Sequence, residues 1–166
     1  TGSINPIMLK SVGAKYVIIG HSENRKMGET DKLVNLKIRS TLKAKLKVIF
    51  CIGETLIQKR KKMTKKILDS QIKLGLKKIK NKRDILIAYE PVWSIGTGLV
   101  PKNNDLLQTV KFIKKKLKNY KVLYGGSVNS NNVNDLKLVN NIDGFLIGGA
   151  SQNSKKFIDI IKKTYN

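Results

Sequence analysis

Cysteine and histidine each occur once in 166 residues, as Cys51 and His21. One cysteine forbids an internal disulfide framework, and with one histidine no Cys/His metal cluster can form, so no metal site is expected. No apolar run approaches the roughly 18 residues needed to span a bilayer, and no signal-peptide pattern opens the chain. The expectation is therefore no membrane partner and a cytoplasmic, reducing compartment. Acidic residues are also scarce: 11 Asp and Glu stand against 34 Lys and Arg, a net charge of +23. Arginine is scarcer still, since 30 of those 34 are lysine, and aromatics make up only 6%. Nucleic-acid readers use arginine for bidentate base contacts and aromatics for stacking. The densest basic run here, Lys59-Arg60-Lys61-Lys62, has no aromatic interleaved. Lysine, asparagine (15) and isoleucine (20) rise together, as a coding bias acting on solvated positions produces. No specific nucleic-acid partner is expected, although a basic surface that holds anions or nucleic acid without turnover stays open.

What is present is the material of a globular domain: 40% hydrophobic and 27% charged residues, in a length that suits one domain or a piece of a larger one. No break in composition divides it, so residues 1–166 read as a single domain. The first residue is Thr1 rather than Met, which leads us to expect something upstream.

Short apolar, β-branched runs recur at 16–20, 48–53, 85–89, 122–126 and 144–149. Their near-continuous hydrophobicity suits strands of a parallel sheet buried on both faces. Between them lie helical patterns. Leu68, Ile72, Leu76 and Ile79 step by four, four and three, and Leu106, Val110, Ile113 and Leu117 follow a cap region at Asn103-Asn104. Leucines over 31–46, apolar residues from Phe157 to Ile161, and a short element from Pro6 to Val12 add three more helices. Strand–helix alternation predicts an α/β fold with a parallel sheet, either open or closed into a barrel.

Every strand ends in polar residues or glycines: His21-Ser22-Glu23, Gly53-Glu54, Glu90, Gly125-Gly126-Ser127 and Gly148-Gly149-Ala150-Ser151. Ligands of parallel α/β folds bind at the carboxyl ends of the strands. One such residue would mean little, and a lone histidine is commonly structural; their convergence at one end of the sheet is a functional signal. Glu90 follows five apolar residues and precedes Pro91, and burial there would raise its pKa toward that of a useful base. Glycine pairs at strand ends either make tight turns or let backbone N–H groups approach a phosphate. Gly96-Thr97-Gly98 lacks the third glycine of a dinucleotide fingerprint. Cys51 reads most simply as a small buried apolar residue.

Ala88-Tyr89-Glu90-Pro91-Val92-Trp93-Ser94-Ile95-Gly96-Thr97-Gly98 closely resembles the signature of the triosephosphate isomerase family. So do Gly20 to Glu23, Cys51 to Glu54, Tyr124 to Val128 and Gly144 to Ser151, in the family's order along the whole chain. The resemblance implies a (β/α)8 TIM barrel of which this chain supplies the last five strand–helix units. It implies interconversion of dihydroxyacetone phosphate and D-glyceraldehyde 3-phosphate through an enediolate, without a cofactor, in a homodimer when the chain is full length. Catalysis would fall to His21 and Glu90, and substrate binding to Gly96, Ser127, Gly148 and Gly149, with Ser22, Glu23 and Cys51 in support and residues 91–98 as a hinged lid. Three missing units, at roughly 30 residues each, would complete the barrel; a truncated remnant holding anions without catalysis is the alternative. Asn24 replaces the first of two arginines usual after the His-Ser-Glu motif, Arg25 keeps the second, and the following segment is one residue short; these departures concern the loop that the resemblance assigns to support Glu23 and leave His21 and Glu90 untouched.

Overall fold

The β-branched runs become five strands: β1 (Tyr16–Ile19), β2 (Lys47–Ile52), β3 (Ile85–Tyr89), β4 (Val122–Tyr124) and β5 (Gly144–Phe145). They belong to a computed structural model that describes residues 3–80 and 82–165. All four neighbouring pairs are parallel, in the order β1-β2-β3-β4-β5. A strictly sequential order settles what sequence period left open. An open doubly wound sheet reverses direction at a switch point, whereas here every crossover runs the same way, as in a segment of a barrel.

The helices are α1 (Pro6–Ser11), α2 (Ser22–Lys26), α3 (Asp31–Lys43), α4 (Leu56–Arg60), α5 (Thr64–Gly75), α6 (Asn103–Lys116), α7 (Val133–Lys137) and α8 (Ser154–Tyr165). Side-chain caps start several of them: Asn5 for α1, Thr30 for α3, and a full capping box between Thr55 and Gln58 for α4. Two boundaries differ from the periodicity. Asn103 is already helical, with Lys102 at the N-cap and no side-chain cap bond. The α5 helix ends before Ile79 because Lys78 turns left-handed, at φ 60°. At five residues, α7 is too short to show a period at all. The fifth strand is also shorter than the apolar run over 144–149: β5 pairs on one side only, and beyond Phe145 the ladder is carried on by the Leu146 N–H, which donates to the Tyr124 carbonyl.

Register divides the strand residues into two faces. Val48, Phe50, Ile52, Ile85, Ile87, Tyr89, Val122 and Tyr124 face one way and form a buried core with Ile38 of α3, Leu68 of α5 and Val110 of α6. On the other face Ile18, Ile49 and Leu86 lie in register, as do Cys51, Ala88 and Leu123. This second face is less covered, and Ile18 is 46% exposed. It is the face that leads up to Glu90.

Candidate active site

Parallel strands bring all five carboxyl ends to one side of the sheet, and a cavity of about 830 Å³ opens there. Its walls include His21, Glu90, Gly96, Ser127, Gly148 and Gly149, the six residues that the sequence singled out for catalysis and substrate contact. Glu23 reaches the same cavity, while Ser22 and Cys51 are buried outside its lining.

Glu90 directly follows β3 and is 3% exposed. Its N–H donates to the Ile52 carbonyl at 2.8 Å, which fixes the point where the chain leaves the sheet. Burial pushes its carboxyl above the ordinary glutamate value, with the His21 ring and then the Cys51 thiol pulling the other way. The Cys51 thiol is itself pushed well up, by burial first and by the Glu90 charge second, so it stays protonated. Glu90 Oε2 is buried and has no hydrogen-bond partner among the described residues. A desolvated carboxylate with a free lone pair is suited to taking a proton.

His21 caps the start of α2, and its Nδ1 accepts the Glu23 N–H at 3.4 Å. An accepting Nδ1 carries no proton, so the neutral ring carries its hydrogen on Nε2. That nitrogen faces Glu90 Oε1 at 3.6 Å, too far for a hydrogen bond, so the imidazole does not consume the carboxylate. The Glu23 side chain is 77% exposed. Arg25 serves the strand ends rather than Glu23: it donates to the Gly20 carbonyl (2.7 Å) and the Cys51 carbonyl (3.3 Å) and pairs with Asp31 (2.7 Å).

The segment after Glu90 opens with a 3-10 turn at Val92–Ser94, and its Ile95, Gly96 and Gly98 line the cavity. Two anchors hold it. Trp93 Nε1 donates to Glu54 at 3.0 Å, the Tyr89 hydroxyl donates to the same carboxylate at 3.2 Å, and Lys59 Nζ lies 3.6 Å above the indole ring. Ser94 is the second anchor, fully buried, with its hydroxyl among Leu99, Tyr124 and Ser127. Burial pushes the Tyr124 phenol up to about 12, so it remains a donor.

Sequence reasoning missed Gln71, whose amide closes on both backbone groups of Gly53, accepting its N–H at 2.9 Å and donating to its carbonyl at 3.0 Å. The signal was a polar residue three after Leu68 and one before Ile72, on the buried stripe of α5. The roles of Ser94 and Tyr124 were missed too, because neither hydroxyl departs from a plausible loop or strand composition. Among the described residues no group of three or more His, Cys, Asp or Glu could hold a metal ion. The lining includes the glycines Gly148 and Gly149 and one lysine, Lys156.

The profile of the triosephosphate isomerase family matches residues 1–164. The triosephosphate isomerase of Thermodesulfovibrio yellowstonii is 44% identical over 171 residues, covering 98% of this chain and 70% of that protein. That of Mycoplasma mobile is 43% identical over 165 residues, covering 98% and 68%. The crystal structure of triosephosphate isomerase from Bartonella henselae superposes with a TM-score of 0.92 at 34% identity, over 100% of this chain and 71% of that one.

Proposed function

Because the chain belongs to the triosephosphate isomerase family, we propose that Glu90 is the base and His21 the proton donor of its reaction. The activity is the interconversion of dihydroxyacetone phosphate and D-glyceraldehyde 3-phosphate, an isomerisation of glycolysis. The ionised Glu90 carboxylate takes a proton from the carbon beside the carbonyl, and the electron pair moves onto the carbonyl oxygen. The Nε2 hydrogen of His21 meets that oxygen as its charge develops, which lowers the barrier to the enediolate. His21 passes its Nε2 hydrogen to that oxygen and recovers one from the hydroxyl on the carbon that lost its proton. Glu90 then gives its proton to the former carbonyl carbon, so a new carbonyl forms and no group is consumed. The backbone at Gly148, Gly149, Gly96 and Ser127 holds the phosphate, and residues 91–98 close over the intermediate. Excluding water matters because an exposed enediol phosphate loses its phosphate instead of reprotonating.

The observation that carries this reading is the meeting of His21 Nε2 and Glu90 Oε1, 3.6 Å apart, in the one cavity that the glycine pairs also line. Ser22, Glu23 and Cys51 act through these two, Cys51 by its thiol beside the Glu90 carboxyl. The five units form a single domain over 1–166, the last five of an eight-unit barrel. No cofactor is assigned. A homodimer and a cytoplasmic location go with family membership, and no helix among the described residues is long and apolar enough to cross a membrane.

Incorporation of deuterium from heavy water into a triose phosphate, followed by NMR, tests the assignment. Glu90→Gln is expected to lose several orders of magnitude in kcat with KM little changed, since proton abstraction is confined to the transition state. A variant within about tenfold of wild type, a barrier change of only ~1.4 kcal/mol, rules Glu90 out as the base.

A further inference from the structure

We propose that a cationic cleft at the foot of the sheet, opposite the catalytic cavity, binds an acidic polypeptide segment that carries one apolar anchor residue. The cleft opens where α5 and α6 end and the chain turns into β3 and β4. Two adjoining cavities make it, of about 440 Å³ and about 620 Å³, and they share Lys82 and Asn119. The first adds Lys73, Lys115, Lys116 and Lys118, and the second adds Lys80 and Arg83. Among the described residues neither lining contains a carboxylate, whereas the catalytic cavity sets a single lysine against Glu23 and Glu90. Asp69 pairs with Lys73 at 2.7 Å and with Lys116 at 2.9 Å. Lys80, Lys82, Lys115 and Lys118 are exposed and take part in no ion pair among the described residues.

A cleft lined by one sign of charge over walls of low dielectric focuses its field and draws in the opposite charge. The walls here are apolar: Ile72, Leu117 and Tyr120 are buried, Leu76 and Ile79 half-buried, and all five line the smaller cavity. An apolar side chain finds its seat against them, and carboxylates on either side of it reach the lysines of the rim. Lysine stems cover apolar surface while their ammonium groups stay in water, so the same residues serve both contacts. A nucleic acid is matched less well. Arg83 is the one arginine of the two linings, and Tyr120, 5% exposed, offers no ring on which a base could stack. Cations spread over two cavities suit a run of carboxylates rather than one compact anion. Both β3 and β4 have a strand on each side, so the cleft belongs to neither open edge of the sheet. The inference is independent of the chemistry assigned to Glu90 and His21.

Fluorescence anisotropy tests this with a fluorescein-labelled peptide, one leucine between two runs of four glutamates, added to the 166-residue chain at physiological ionic strength. The chain is expected to bind it, and exchange of the leucine for serine to weaken binding at least about threefold, since the seat for that side chain is apolar. Lys82→Glu with Lys118→Glu is expected to raise the dissociation constant at least about tenfold, equivalent to ~1.4 kcal/mol. Lys10→Glu with Lys32→Glu makes the same change of net charge at exposed positions outside both linings. Screening confines its effect to about threefold or less. Circular dichroism and thermal melting show whether each variant folds, and Lys80→Glu with Lys115→Glu takes the place of the first pair if that pair does not. Equal weakening by the cleft pair and the distant pair overturns the proposal, because net charge alone then explains the binding. Equal affinity for the serine peptide overturns it too, as does polyuridylate that displaces the peptide at a matched concentration of charge, which marks a general polyanion surface. A wild-type chain that leaves the anisotropy unchanged overturns it outright.

Discussion

Gly125 stands directly against the side chain of Glu90: a Cβ on Gly125 would lie 2.8 Å from the Glu90 Cγ and 3.1 Å from its Oε1. Neighbouring strand ends thus leave the carboxylate one place to sit, and the missing side chain of β4's first following residue makes that place. Gly125→Ala is expected to push the carboxylate out of position while the helix-side core is untouched. Steady-state kinetics should show kcat down by ten- to a hundredfold, since small misplacements of a base are that costly, with melting little altered.

Glu90 is held at a cost to stability that depends on pH. Burial raises its pKa in the folded chain above the value of about 4.3 that an unfolded glutamate has. Between those two values the folded state binds more protons than the unfolded one, so this group's contribution falls as pH rises through the folded pKa. Glu90→Gln removes the ionisation. The variant is expected to be more stable than wild type at neutral pH, with the advantage vanishing below about pH 4. Denaturant titrations at several pH values check this, and a constant difference across the range contradicts it. Activity has the opposite dependence, because the base must be ionised, so its acid limb lies above the ordinary glutamate range.

The bidentate grip of Gln71 on Gly53 has no substitute in its surroundings. Gln71→Leu leaves a buried N–H and a buried carbonyl unpaired, each worth about 1–3 kcal/mol. An overall loss of roughly 2–6 kcal/mol is expected in urea unfolding. Gln71→Glu should fare better than leucine, since it still accepts the Gly53 N–H.

Two strands, β1 and β5, pair on one side only among the described residues, and the chain spans 70% of the length of its relative from T. yellowstonii. Open edges expose unpaired backbone and invite association. Joining the leading part of that relative to this chain is expected to raise turnover at least a hundredfold over the 166 residues alone, since it supplies the rest of the site wall. Parallel assays of the two proteins decide it, and equal turnover refutes it.

The +23 charge should give retention on a polyanion matrix that collapses as salt rises, because solvated lysines are screened over about 8–10 Å at physiological ionic strength. Retention that survives 0.5 M salt, on the order of a 4 Å screening length, would mark a specific polyanion site instead.

The sequence by itself determined the strand–helix alternation, because β-branched runs and leucine stripes carry their own periods. It also determined the residues gathered at the strand ends, since chemistry at a carboxyl end must be written as His21, Glu90 and glycine pairs rather than as apolar continuation. Only the tertiary structure decided the rest. Sheet order followed from which strands pair, a matter of register between segments tens of residues apart. Which ring nitrogen of His21 faces Glu90 as the hydrogen carrier followed from the Glu23 N–H that its Nδ1 accepts. The parts played by Gln71, Ser94 and Tyr124 follow from where a polar atom lands after packing, and a serine in a loop looks the same in sequence whether its hydroxyl meets water or, as here, three partners within the protein.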